Sequence, residues 1–244
     1  MGALIIIPSR WGSTRFPGKP LVQIAGVSLI ARVIGCALES KRAAGVWVAT
    51  DDDRIAAEAT AAGAEVVQPP GEFASGTDRI AAALDAIEKT TGKSWDQVIN
   101  VQGDEPLLDI TLVDAMIAEL ESDPIDMATL CCPLGSEDEY LDPNVVKVVM
   151  DGRKNALYFS RSPIPNGAWK LARRHIGVYG FQSEALRRFR SLPPSPIELA
   201  ERLEQLRALE NGFTIRVLET DAPHSGVDRP EDVRKIEQEL ARPR

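Results

Sequence analysis

The sequence predicts an α/β fold built on a mostly parallel sheet. Three observations lead there. Short apolar runs alternate with amphipathic segments through the first half of the chain, the signature of βαβ units. The first run, Ala3-Leu4-Ile5-Ile6-Ile7, is continuous and bounded by turn residues, as a buried parallel strand should be. That run empties into a loop of glycines, hydroxyls and cations, and ligands of parallel sheets bind beyond the carboxyl ends of strands.

The elements follow in order. Strands are expected at 3–7, 45–50, 64–67 and 97–101, and helices at 29–39, 54–62, 77–89 and 111–121. Gly45 and Gly63 stand where helices are expected to end on glycine. The second half is mixed, with strands expected at 127–132, 145–150, 157–159 and 176–181. Leu199, Leu203, Leu206 and Leu209 recur at helical spacing and predict one helix over 197–210. A strand at 214–218 follows, and Pro230 opens a last helix running to about 241. No repeat, low-complexity tract or long linker divides residues 1–244, so one domain is expected. Segments 135–144, 162–171 and 191–196 are rich in Pro, Gly or charge and are candidates for mobile substrate loops.

Bulk properties narrow the function. A chain of 244 residues can bury a substantial core. The formal net charge of −8 argues against non-specific nucleic-acid binding, so a polyanion site must be a local basic pocket on an acidic protein. The cysteines, Cys36, Cys131 and Cys132, are odd in number with two adjacent; neither a disulfide framework nor a metal pattern emerges, and a reducing cytoplasm is expected. The start lacks the basic region of a signal sequence, and no apolar stretch approaches a membrane span.

The loop after the first strand carries Arg10, Ser13, Arg15 and Lys19 among loop amides, a combination suited to a polyphosphate. It is not a Walker A loop. Gly12 and Gly18 are one residue too far apart, and Lys19 is followed by Pro20, which has neither a hydroxyl for a metal nor an N–H for a phosphate. Any metal must be held elsewhere. The G-x-G-x-x-G dinucleotide fingerprint is also absent. The competing reading is a solvated basic loop with glycines for its turns.

Three further constellations carry chemistry. Asn100-Val101-Gln102-Gly103-Asp104-Glu105-Pro106 ends an apolar strand in a turn with two carboxylates, and Asp104 is the candidate magnesium ligand there. An ordinary turn would use the same residue types. In Gly226-Val227-Asp228-Arg229-Pro230, Asp228 is either a helix N-cap or a second metal carboxylate, and nothing local decides. In Ser75-Gly76-Thr77-Asp78-Arg79, Ser75 or Thr77 caps a helix, while amides, a hydroxyl and Arg79 could read a nucleobase edge. Thr50-Asp51-Asp52-Asp53 reads as a strand end and a helix cap, with no chemistry assigned. Arg173-Arg174-His175 and Arg161 are competing cations for a carboxylate substrate. There is no G-x-S-x-G elbow and no His/Cys cluster, so nucleotidyl or phosphoryl transfer is the chemistry indicated.

Taken together, these residues resemble the 3-deoxy-manno-octulosonate (Kdo) cytidylyltransferases, or CMP-Kdo synthetases. The resemblance runs over nearly the whole chain. It rests on Ile7-Pro8-Ser9-Arg10 with Pro17-Gly18-Lys19-Pro20, Val48-Ala49-Thr50-Asp51, Ser75-Gly76-Thr77-Asp78-Arg79, Asn100 to Pro106, Ala156 to Arg161, His175-Ile176-Gly177-Val178-Tyr179, Leu203 to Arg207 and Gly226-Val227-Asp228. It implies a Rossmann-like nucleotidyltransferase sheet with a smaller mixed subdomain, at roughly 130–210, used in sugar binding and dimerisation. The implied reaction joins CTP and Kdo, with Mg2+, into CMP-Kdo and pyrophosphate, feeding lipopolysaccharide assembly. By position, Arg10, Ser13, Arg15 and Lys19 would hold the phosphates, and Ser75, Gly76 and Arg79 would lie near the cytosine. Asp104 and Asp228 would hold the metal and, with Lys19, form the catalytic set. Gln102, Arg161, His175, Tyr179, Glu204 and Gln205 would line the sugar pocket. A homodimer is implied. Gly12 beside Trp11, and a short 165–174 segment, depart from the family pattern. The departures bear on the sugar, including an amino analogue of Kdo or a sialic acid, more than on CTP.

Overall fold

The strand Ala3–Pro8 (β1) has no exposed surface from Ala3 to Ile7, because a strand pairs with it on each side. In this computed structural model the described residues are 2–12, 16–73, 75–221 and 226–241. They fall into two compact units, one of residues 1–114 with 224–244 and one of 115–223.

In the first unit β1 leads through a two-residue hairpin, Gln23–Ile24 (β2) and Val27–Ser28 (β3), into the helix Leu29–Leu38 (α1). Ala43–Ala49 (β4), Asp53–Ala61 (α2), Glu65–Val67 (β5), Gly76–Thr91 (α3), Gln97–Asn100 (β6) and the start of Ile110–Ser122 (α4) follow. The strands lie in the order β6–β1–β4–β5, and every pairing is parallel. Parallel neighbours require a crossover, and the intervening helices supply it. Ile30, Val33, Ile34 and Ala37 of α1 are buried at helical spacing. Ser28 begins that helix by accepting the Ala31 N–H, and its own hydroxyl donates to Glu58 at 2.6 Å.

The second unit contains Met127–Pro133 (β7), Glu137–Leu141 (α5), Lys147–Met150 (β8), Ala156–Ser160 (β9), Arg173–Gln182 (β10), Ser183–Ser191 (α6), Pro196–Glu201 (α7), Gln205–Glu210 (α8) and Ile215–Glu219 (β11). Its strands run β11–β7–β10–β8–β9. β11 is parallel to β7, and the other three pairings are antiparallel. The chain then re-enters the first unit as Pro230–Leu240 (α9), where Glu237 accepts the Ala25 N–H at 2.8 Å.

The expected α/β organisation is present, with four departures. The helix expected over 197–210 is two helices, because Arg202 turns to a φ of +55° and closes α7 on the Glu198 carbonyl. Leu199 is 65% exposed, so the apparent leucine stripe is not one face. Gly45 lies inside β4 and ends no helix, whereas Gly63 takes a φ of +94° after α2 as expected. Within the expected loose segment 135–144, Ser136 caps α5 and buried Tyr140 donates to the Pro165 carbonyl. The helix α6 was hidden by its charge: Leu186 and Phe189 face inward among Glu184, Arg187, Arg188 and Arg190.

A buried lysine and a buried ion pair organise the second unit. Lys147 has no exposed surface and donates to the carbonyls of Asp142, Val145 and Arg161 at 3.0, 2.7 and 2.6 Å. Burial pulls its ammonium pKa down. Glu198 and Arg207 form a two-point ion pair at 2.8 and 2.6 Å, which joins α7 to α8 across the break. Burial pushes the Glu198 carboxyl up, but the Arg207 hydrogen bonds and the Ser195 N–H outweigh it, so the net shift is downward. A lowered carboxylate pKa adds stability above the ordinary value of 4.5 and loses it as pH falls through the folded value. Arg207→Met, which strands that carboxylate, is therefore expected to cost about 3–5 kcal/mol at pH 7 by urea denaturation. The deficit should shrink as pH is lowered, and the double variant Glu198→Gln/Arg207→Met should recover part of it.

Candidate active site

Parallel pairing brings the exits of β1, β4 and β6 to one edge of the first unit. Ser9 extends β1 by donating its N–H to Ala49 at 2.9 Å. Gly103 follows β6 so closely that a Cβ there would stand 3.1 Å from the Pro8 carbonyl oxygen, an approach that favours glycine. Over this edge lies a cleft of about 260 Å³. Ser9, Arg10, Lys19 and Pro20 contribute to it from the first loop, and Phe73, Ser75, Gly76 and Arg79 from the start of α3. Gln102, Gly103 and Asp104 line it after β6, and Asp228 before α9.

The first loop is built to place Lys19. Gly18 takes a φ of +71° and starts a 3-10 turn at Lys19–Leu21, while its N–H donates to the Trp11 carbonyl at 3.2 Å. The Trp11 ring lies against Gly18, where a Cβ would come within 2.8 Å of it. Arg54 stacks over the Trp11 ring at 3.3 Å and is itself gripped by Asp52 at 2.6 and 3.0 Å. The Lys19 ammonium then lies 2.8 Å from Asp104 Oδ2 and 3.8 Å from Asp228 Oδ1.

Asp228 reaches that position because another residue does the capping. Asp232 accepts the N–H groups of both Asp228 and Arg229 at 3.1 and 2.9 Å. The N-cap position of α9 is Arg229, so the N-cap reading of Asp228 is corrected. The Val227 N–H donates to the Asp104 carbonyl at 2.9 Å and fixes the two aspartates side by side along the backbone. A cation, the Lys19 ammonium, is already held between their carboxylates. No group of three or more His, Cys, Asp or Glu gathers around a metal position among the described residues. Two carboxylates fit magnesium, which keeps most of its shell for water and substrate phosphates, better than an ion needing a full protein cage.

At the other end of the cleft Ser75 caps α3, accepting the Asp78 N–H at 3.1 Å, which settles the choice between Ser75 and Thr77. Its hydroxyl acts there only as an acceptor, so its own proton can be donated to a ligand. Arg79 is 7% exposed. Its Nη2 donates to Asp51 at 2.7 Å, and its guanidinium lies 5.1 Å from the Phe73 ring centre. Ser9 Oγ and Arg79 Nη1 are buried with no hydrogen-bond partner among the described residues. Two such donors in the wall of one cleft are what a ligand would satisfy. Sequence reasoning missed Ser9, Phe73 and Asp51 as contributors; the signal for Ser9 was its place directly after the buried first strand.

Of the predicted nucleotide set, Arg10, Lys19, Ser75, Gly76 and Arg79 meet at this cleft, together with Asp104, Asp228 and Gln102. Ser13 and Arg15 lie outside the described residues. The other predicted sugar residues belong to the second unit. Arg161 is engaged by carbonyls: Glu201 at 2.9 Å, Pro143 at 3.0 Å and Arg202 at 3.5 Å. His175 contacts Thr129 at 3.0 Å and packs edge-on against Phe159, with Tyr179 beside it. Burial drives the His175 pKa down to about 3, so the ring is neutral at pH 7. Burial, with the Glu204 carboxylate adding to it, raises the Tyr179 phenol above its ordinary value. Glu204 is 4.0 Å from Arg207, and Gln205 is buried.

Comparison with known proteins agrees with this geometry. The family model described as cytidylyltransferase matches residues 4–217. A 3-deoxy-manno-octulosonate cytidylyltransferase of Syntrophotalea carbinolica is 46% identical over 98% of this chain and 99% of its own. An 8-amino-3,8-dideoxy-manno-octulosonate cytidylyltransferase of Shewanella baltica is 44% identical over 99% of each. Among solved structures, a CMP:2-keto-3-deoxy-manno-octonic acid synthetase complexed with CTP superposes with a TM-score of 0.90 at 39% identity, covering 99% of both chains.

The lowered pKa of His175 has a stability consequence. Its folded pKa lies below the ordinary 6.5, so the unfolded chain takes up the proton first and stability falls as pH drops from 6.5 towards 3. The slope from this group is at most about 1.4 kcal/mol per pH unit. His175→Gln should flatten that part of the pH–stability curve. The chain has two histidines, and imidazole NMR should find the His175 resonances unshifted between pH 8 and 5.

Proposed function

Because the chain belongs to the cytidylyltransferase family, we propose that it transfers CMP from CTP to the anomeric hydroxyl of 3-deoxy-D-manno-octulosonate, releasing pyrophosphate and activating the sugar for lipopolysaccharide biosynthesis. The observation that carries this reading is the Lys19 ammonium held between Asp104 and Asp228 in a cleft over parallel-strand exits.

At the α-phosphorus the reaction forms one bond and breaks one. The sugar hydroxyl oxygen bonds to the α-phosphorus, and its proton passes to water. The bond from that phosphorus to the bridging oxygen breaks, and its electron pair leaves with pyrophosphate. Positioning and charge neutralisation are the main demands of such a step. Arg10 and Lys19 offset the negative charge of the phosphates, with Ser13 and Arg15 assigned to the same role. Lys19 is already paired, so the polyphosphate competes with Asp104 for the ammonium. Ser75, Gly76 and Arg79 meet the base. Gln102, Arg161, His175, Tyr179, Glu204 and Gln205 are assigned to the sugar; a neutral His175 can donate or accept a hydrogen bond but brings no charge. Asp104 and Asp228 would hold Mg2+, which when bound supplies charge neutralisation at the phosphates.

The same reading makes the protein a cytoplasmic homodimer whose 130–210 lobe serves the sugar and the partner copy. Leu141, Leu157, Leu171 and Leu199 of the second unit are 59–71% exposed. All three cysteines are thiols, and among the described residues no helix is long and apolar enough to cross a membrane. The 8-amino acid is a second reading for the sugar, favoured by the Shewanella baltica relative.

A pyrophosphate-release screen of the four nucleoside triphosphates against Kdo, its 8-amino analogue and sialic acid tests the function. Release should require CTP, Kdo and magnesium together. Faster release with either other acid would reassign the sugar, and release with no dependence on the acid would reject the activity. Asp104→Asn should lower turnover by roughly 10²–10³-fold or more while CTP binding partly survives. Near-normal turnover in magnesium would sink the metal assignment.

A further inference from the structure

Thr50-Asp51-Asp52-Asp53 ends β4 and starts α2, and the sequence suggests only capping there. The structure divides the labour. Asp52 caps α2, accepting the Arg54 N–H at 3.0 Å, and grips the Arg54 side chain. Asp51 does neither. Its carboxylate accepts a hydrogen bond from Arg79 Nη2 at 2.7 Å, across 28 residues of sequence. Half of the Asp51 side chain is exposed, whereas that of Arg79 is 9% exposed.

An ion pair with one exposed partner adds little to stability. Its geometric effect is larger. A guanidinium is a rigid planar fork, so holding one arm fixes the direction of the other. The other arm, Nη1, is buried and has no partner among the described residues. Arg79 lines the cleft with Phe73, Ser75 and Gly76, away from the Lys19 loop in sequence and grouped at the start of α3. An N–H donor fixed at a pyrimidine subsite is selective. Cytosine offers O2 and N3 as neighbouring acceptors, while uracil carries a hydrogen on N3 and would oppose the donor. A site built to donate rejects the base that cannot accept, because a buried donor would then be left unpaired.

We propose that Asp51 is the positioning residue of the base subsite: by holding one arm of Arg79 it fixes the other toward the acceptor edge of cytosine, and so sets the preference for CTP over UTP. This rests on the cytidylyltransferase reading above. Asp51 touches neither base nor phosphate in this account and acts only through Arg79.

The test compares kcat and KM for CTP and UTP in the wild type, Asp51→Ala and Asp51→Asn, with thermal melting as a folding control. Wild-type protein that ignores CTP would reject the underlying reading and is distinct from any outcome for the variants. With CTP turnover present, Asp51→Ala should lower the CTP-to-UTP ratio of kcat/KM about tenfold. The loss should appear in the KM for CTP, with kcat, the KM for the sugar and the melting temperature close to wild type. Asp51→Asn, which keeps an acceptor oxygen for Nη2, should restore part of the ratio. A ratio within twofold of wild type in Asp51→Ala would overturn the proposal, as would an equal loss for both nucleotides. Should Asp51→Ala fail to fold, Arg79→Lys keeps the charge but lacks the fork; it must then lose the same selectivity, and an unchanged ratio there also overturns the proposal.

Discussion

Parallel pairing of β1 with β4 and β6 is the constraint on which the site depends. Parallel neighbours all end at the same edge, so residues far apart in sequence emerge together there. Ser9 and Arg10 leave β1, Thr50 and Asp51 leave β4, and Gln102 to Asp104 leave β6. The continuous apolar run of β1 enforces this, because Ala3 to Ile7 can be removed from water only with a strand on each side and helices over both faces. The cleft residues themselves contribute little to that burial. They are carried to their places by a core that has no other use for them.

Three cations near this edge are each paired with a carboxylate. Lys19 is held by Asp104, Arg79 by Asp51 and Arg54 by Asp52. An acidic protein can thereby hold these three basic groups close together, each oriented by its carboxylate. On the function proposed above, an incoming polyanion would exchange one partner for another at Lys19, while the Arg54 and Trp11 stack keeps the loop in register. Pre-orientation of this kind lowers the ordering cost of binding. The second unit follows the same logic with greater burial. Lys147 gathers three carbonyls, Arg161 is engaged by three more, and Glu198 with Arg207 joins two short helices across a break.

Much of the fold was legible because its signals are local. The uninterrupted run at β1, the helical spacing in α1 and the glycine after α2 each reflect a rule that acts within a few residues. The misreadings arose where a local signal had two meanings. Leu199 shared a spacing with Leu203 and Leu206, yet it faces solvent, because the αL turn at Arg202 redirects the chain. The helix α6 carries so much charge on its outer face that its two inward aromatic and aliphatic side chains did not stand out.

The sequence by itself determined which chemistry the chain could perform: a loop with Lys19 before a proline, a carboxylate turn at Asp104 and a second aspartate at Asp228. These are statements about residue types, and residue types are written in the chain. Only the tertiary structure decided what each of them touches. It assigned the capping of α9 to Asp232 and so released Asp228 toward Lys19. It paired Asp51 with Arg79 rather than with its own helix, and it left donors of Ser9 and Arg79 unspent in the wall of the cleft. Such choices depend on distances between residues tens of positions apart, which packing sets and periodicity does not encode.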